Sequence, residues 1–134
     1  MQLSFIHLAD YANVTQDQKL NVLGIFGSIS SANFPTVHPD MYVVVQLIAR
    51  SPEYGRKFRL DVRLVDEDGT ILVPFETEVV VPQGDHGLSV NMNLLFRLVN
   101  TVFQKPGTYG VYLLVDNDEK GSIPLEVIQI EATA

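Results

Sequence analysis

Apolar residues recur every second position through most of this chain, and that period restricts its fold more than any other feature. In Lys105–Val127, Pro106 and Gly107 mark a turn, since proline presets φ and glycine tolerates conformations closed to other residues. Tyr109, Val111, Leu113 and Val115 then share one face, and Gly110, Tyr112, Leu114 and Asp116 the other, because side chains alternate along a strand. Asp116–Gly121 is too polar for a core and reads as the connecting loop. Ile123, Leu125 and Val127 resume the alternation. Facing Val115 with Ile123 sets Leu113 opposite Leu125 and Val111 opposite Val127, a register that buries each pair on one face.

A second hairpin is readable in Phe58–Val79. Phe58, Leu60, Val62 and Leu64 alternate with Arg59, Asp61 and Arg63; Ile71, Val73, Phe75, Thr77 and Val79 alternate with Leu72, Pro74, Glu76 and Glu78. Asp68-Gly69 between them predicts a two-residue type I′ turn, with Glu67 facing Thr70. Leu64 then meets Val73, Val62 meets Phe75, Leu60 meets Thr77 and Phe58 meets Val79. On the other face Arg59 meets Glu78 and Arg63 lies diagonal to Glu76. Asp61 opposite Glu76 is the one unfavourable pair, with Arg59 and Arg63 on either side. Exposed pairs of this kind contribute about 0.2–1 kcal/mol each, so they select register rather than hold the fold. Pro74 and Pro124 cannot donate to a ladder and predict an edge or a bulge.

Residues 3–12 read as a first strand and Leu20–Ile29 as a second, with Gly24 and Gly27 marking a bulge or a close backbone approach. Ser30–Pro39 reads as irregular. Met41–Ala49 is β-branched and apolar on both faces, which predicts a central or doubly covered strand. Leu88, Val90, Met92, Leu94, Phe96 and Leu98 alternate without a break, and a short helical turn is allowed near Asn100. The expectation is one domain over residues 1–134, all-β, an eight-stranded antiparallel β-sandwich of immunoglobulin-like or jelly-roll type.

Gly107-Thr108-Tyr109 resembles the tyrosine corner of immunoglobulin-like sandwiches, where a tyrosine near a strand start hydrogen-bonds to backbone a few residues upstream. Tyr109 as a plain core aromatic is the alternative. More of the chain carries a second resemblance. Lys19-Leu20-Asn21-Val22-Leu23-Gly24-Ile25-Phe26, Phe34-Pro35, the two-sided strand from Met41 and Pro106-Gly107-Thr108-Tyr109 together look like a set of small bacterial proteins classed only as a domain of unknown function. That likeness implies a β-sandwich and brings no activity or site residue. Those proteins often have glycine before the lysine, where this chain has Gln18, so the turn there is expected to differ.

At 134 residues the chain can bury roughly two thirds of its unfolded surface, so it needs no metal or disulfide to fold. It has no cysteine, which removes disulfides, thiolate catalysis and Cys-ligated zinc. Met1–Val14 lacks a basic start, a long apolar run and a cleavage site, so no leader and a cytoplasmic location are expected. No apolar run approaches spanning length, so no membrane is expected. The net charge of −7 repels phosphate backbones, and nucleic acid is not expected as a partner. Five of the nine basic residues, Arg50, Arg56, Lys57, Arg59 and Arg63, lie close together. Pairing with Glu76 and Glu78 explains them better than an anion site does.

No catalytic constellation emerges, and the chain is read as not an enzyme, without cofactor or metal. His7, His38 and His86 fall in unrelated segments without metal-ligand spacing. Asp85, His86 and Ser89 lack a nucleophile elbow and read as a polar loop. The acidic turns at Asp66–Asp68 and Asp116–Asp118 fall at opposite ends if strands alternate direction, which disfavours a calcium site. What stands out is surplus hydrophobicity. If their strands share a sheet, Tyr42, Val44, Ile48, Leu95, Tyr112 and Leu114 form an apolar patch of a kind that monomers rarely leave open. The leading expectation is a non-enzymatic interaction or structural module, a homodimer or a complex with another protein, joined through that face. A covering N-terminal strand or Ser30–Pro39 loop is the competing explanation. The alternative function is a small-ligand or carbohydrate-binding sandwich using the loops of Tyr54, Asp85 and His86.

Overall fold

The computed structural model describes residues 1–131. The chain forms β1 (Gln2–Val14), β2 (Leu20–Phe26), β3 (Ser28–Ser31), β4 (Thr36–Ala49), β5 (Lys57–Val65), β6 (Ile71–Val80), β7 (Val90–Phe103), β8 (Gly107–Val115) and β9 (Asp118–Gln129). The only helical piece among the described residues is a 3-10 turn, Ser51–Glu53. One sheet has the order β2-β1-β4-β7 and the other β3-β9-β8-β5-β6. Their facing sides share one core, in which Leu8, Met41, Leu47, Leu60, Leu113 and Leu125 are fully buried.

Among the described residues nine strands form rather than the eight expected, and β3 runs parallel to β9 in a fold otherwise paired antiparallel. The extra strand is Ser28–Ser31, which overlaps the expected irregular segment Ser30–Pro39. Thr36–Pro39 also belongs to a strand, pairing with the far end of β7. Pro39 is tolerated there because β1 leaves β4 after Tyr42, so this part of β4 is an edge. Opposite it, Asn100 has φ 53°, and the strand continues through the place where a helical turn was allowed. The in–out alternation skips a residue at this point. Leu98, Thr101 and Phe103 are buried, while Val99 and Val102 face out.

The β5–β6 register is the one expected, pairing Arg59 with Glu78, Asp61 with Glu76 and Leu64 with Val73. The turn differs. Only Gly69 has positive φ, and the Asp66 carboxylate accepts the N–H groups of Asp68 and Thr70, each at 2.9 Å. That side-chain bonding stabilises a longer turn, with a register shift at Leu64/Val65, over a two-residue I′ turn. The I′ pattern occurs at Asp116-Asn117, with φ 48° and 65°. The β8–β9 register is therefore not the one expected. Tyr109 pairs with Leu125 and Val111 with Ile123, four residues from the expected partners. Four is even, so Val111, Leu113, Leu125 and Val127 still face the core.

Pro74 lies on the edge strand β6, and Pro124 lies where β9 has no β3 neighbour. The Tyr109 hydroxyl donates to the Lys105 carbonyl at 2.6 Å, and its ring packs on Phe103 at 5.0 Å. Tyr109 thus both fills the core and ties the entry of β8 to the segment before it.

Candidate functional site

Two faces look outward, and the surplus apolar residues divide between them. Tyr42, Val44, Ile48 and Leu95 lie on the outer side of the four-stranded sheet, whereas Tyr112 and Leu114 lie on the outer side of the five-stranded one. The premise that these strands share a sheet does not hold. Ile48 is also six residues along β4 from Tyr42, roughly 20 Å away. It lies beside Arg50, Pro52 and Leu88.

Much of the four-stranded face carries its own cover. β1 pairs with β4 only as far as Ala9, and residues 11–14 pair with β2 alone. The β1–β2 hairpin turns back over the sheet, bringing Ala12, Leu20 and Val22 onto Val44, Phe5 and Leu95. Asn93 donates its side-chain N–H to the Gln18 carbonyl at 3.2 Å, fixing the hairpin tip. The bend is at Asp10 and Gly24. Gly24 has φ 69°, and a Cβ there would run into the Asp10 carboxylate. Val44 is left 0% exposed. The N-terminal strand thus supplies this cover, as the competing explanation held.

The other half of this face stays open. Register places Ile25, Ala9, Tyr42 and Arg97 in one row across the four strands, and Val99 beside Asp40 in the next. Leu23 is 63% and Ile25 58% exposed, and Tyr11 and Val99 are exposed as well. Tyr11 meets Tyr42 edge-on at 5.5 Å, and the Arg97 guanidinium lies 5.9 Å from the Tyr42 ring. Arg97 grips Asp40 through two bonds, at 3.0 and 2.8 Å, and this holds the Asp40 carboxyl below the usual carboxylate range. Sequence reading found Tyr42 here but missed Tyr11, Leu23 and Ile25. Gly24 between Leu23 and Ile25 was visible; the fold-back that separates covered from open residues was not.

The outer face of the five-stranded sheet is polar. Asp61 is 1% exposed, bonded by Arg59 Nε at 3.3 Å, with Arg63 3.7 Å from its other oxygen. Arg59 also reaches Glu76 at 2.6 Å, and Lys57 pairs with Glu78. Of the five clustered cations, Lys57 and Arg59 are thus paired across the strands, and Arg63 leans on Asp61 of its own strand. Tyr112 is half-buried and lies against Gly110.

The proposed ligand loops meet at Tyr54 and Leu88. The Tyr54 hydroxyl donates to the Leu88 carbonyl, tying that ring to the Pro82–Ser89 loop. Asp85 and His86 are exposed, and no bond joins them to Tyr54. The acidic turns at Asp66 and Asp116 sit at opposite ends of β5, as expected. Among the described residues, no group of three or more His, Asp or Glu is placed to hold a metal ion. Between the edges of β6 and β7 a groove of about 440 Å³ is lined by Leu72, Val73, Phe75, Leu98 and Val102. Among the described residues no helix is long and apolar enough to cross a membrane.

Fold and surface thus define an all-β chain of two sheets, with one outer face half roofed by its own hairpin. The chain belongs to DUF6941, a family of unknown function whose model matches residues 4–128. No curated protein matches it. Among solved structures it is similar to Pseudomonas fluorescens alkylpurine DNA glycosylase AlkC bound to DNA containing an abasic site analog, at 15% identity and a TM-score of 0.46. The likeness covers 92% of this chain and 30% of that one, and it lends this chain no activity.

Proposed function

We propose that this chain is a non-enzymatic protein-interaction module that docks through the open half of the outer face of its four-stranded sheet. The carrying observation is the exposure of Leu23 and Ile25 beside the Tyr11–Tyr42 pair, next to a region the hairpin has sealed. Tyrosine and arginine are among the residue types that most often anchor interfaces, and Tyr11 and Arg97 both lie against Tyr42 here. We read the architecture as immunoglobulin-like. Supporting this are the neighbouring order β9-β8-β5 and the Tyr109–Lys105 bond at the start of β8, where a tyrosine corner belongs. A cytoplasmic setting accords with the lack of cysteine.

The test compares size exclusion of the wild-type chain and a Leu23→Glu/Ile25→Glu variant in native extract. Both side chains are exposed, so the variant keeps its circular dichroism spectrum. The wild type is expected to elute in a complex and the variant as a monomer. Identical elution of the two would overturn the reading.

A further inference from the structure

Charge on the open half-face selects its occupant. The chain carries −7 overall, so two copies repel unless they meet over a surface without that excess. In the row from Ile25 to Arg97 and the adjoining Asp40–Val99 pair, the charged side chains are one cation, Arg97, and one anion, Asp40. Both reach solvent, 57% and 39% exposed, while bonded to each other. A partner chosen for opposite net charge would find none to read. A two-fold contact sets a patch against itself, so each group must find its complement within the same patch. The Asp40–Arg97 pair meets that condition, and Leu23, Ile25 and Val99 beside it are apolar and exposed, with the Asp10 carboxylate at the bend by Gly24 as a further charge.

We propose that the occupant is a second copy of this chain, related by a two-fold axis beside the Asp40–Arg97 pair. Each Arg97 then bonds Asp40 of the other copy, and the Tyr11, Leu23 and Ile25 side chains of the two copies pack together. This rests on the interaction reading above and names the partner of that same surface. The hairpin keeps Val44 and Leu95 out of the contact, so the interface is confined to the open half.

The experiment is sedimentation velocity on purified chains. Wild type is expected as a dimer. Asp40→Arg leaves Arg97 facing like charge across the axis, and Arg97→Asp does the same for Asp40. Each variant alone is expected to be a monomer with a native circular dichroism spectrum. An equimolar mixture is expected to sediment as a dimer, since two positive side chains at the axis then meet two negative ones. Monomeric wild type at every concentration tested would overturn the proposal, as would a mixture no more associated than its components. If the wild type is a monomer when pure, yet elutes in a complex from extract that Leu23→Glu/Ile25→Glu abolishes, the second copy is wrong and the docking face stands. If elution from extract is also unchanged, both are wrong.

Discussion

Asp61 illustrates how charge can be buried on a sheet face that looks outward. Its carboxylate is roofed by Arg59 and Arg63, and one oxygen lacks a hydrogen bond. Removing one side of a buried ion pair leaves an uncompensated charge, whereas removing the charge itself is often nearly neutral. The Arg59→Ala/Arg63→Ala double variant is therefore expected to lose about 3 kcal/mol in urea unfolding at neutral pH, and adding Asp61→Val to recover most of it. If Asp61→Val alone costs more than the double variant, the carboxylate holds the arginines rather than the reverse. Tyr109 offers a pH test. Burial raises its phenol above the ordinary value near 10. A raised folded pKa contributes stability in full below the unfolded value, and that contribution falls as pH rises through the folded one. Wild-type stability should decline above about pH 10. Tyr109→Phe should flatten that decline while losing about 1 kcal/mol at neutral pH. An unchanged alkaline slope in the variant would place the titrating group elsewhere.

Turns separate what could be read at the level of elements from what could not. The β5–β6 register was legible because Arg59, Arg63, Glu76 and Glu78 mark the wet side as clearly as the leucines mark the dry one. The β8–β9 register was not, because Asp118, Glu119 and Lys120 look like loop residues although they are strand residues at the solvent-facing end of β9. Side-chain alternation tolerates an even slip, so the core was identified correctly while every cross-strand partner was misassigned. The decisive signal is Asp116-Asn117, two residues that accept left-handed φ more readily than most. Asn117→Val should cost about 1–3 kcal/mol by strain at that φ, while Asn117→Gly stays within about 0.5 kcal/mol of wild type. Thermal unfolding of the two variants checks this, and equal midpoints would mean that the turn has another shape. Periodicity also could not reveal the doubling back of β1. Nothing in the alternation of residues 3–12 marks Asp10 as a bend; Gly24, on the neighbouring strand, does.

For the whole molecule, the outstanding question was which sheet each strand joins. Alternation assigns a face within a strand, but β4 and β7 pair across some fifty residues of sequence, and no local pattern encodes that. Tyr42 and Tyr112 therefore looked equivalent in the sequence and lie on opposite sides of the molecule. The hairpin then divides the Tyr42 side again, sealing Val44 and leaving Leu23 and Ile25 in solvent. The central claim is that association belongs to this one half-face. Sedimentation velocity of the wild type, Ile25→Glu and Tyr112→Glu, each with a native circular dichroism spectrum, tests it most directly. The account predicts a dimer for the wild type and Tyr112→Glu and a monomer for Ile25→Glu; a Tyr112→Glu monomer beside an Ile25→Glu dimer would contradict it.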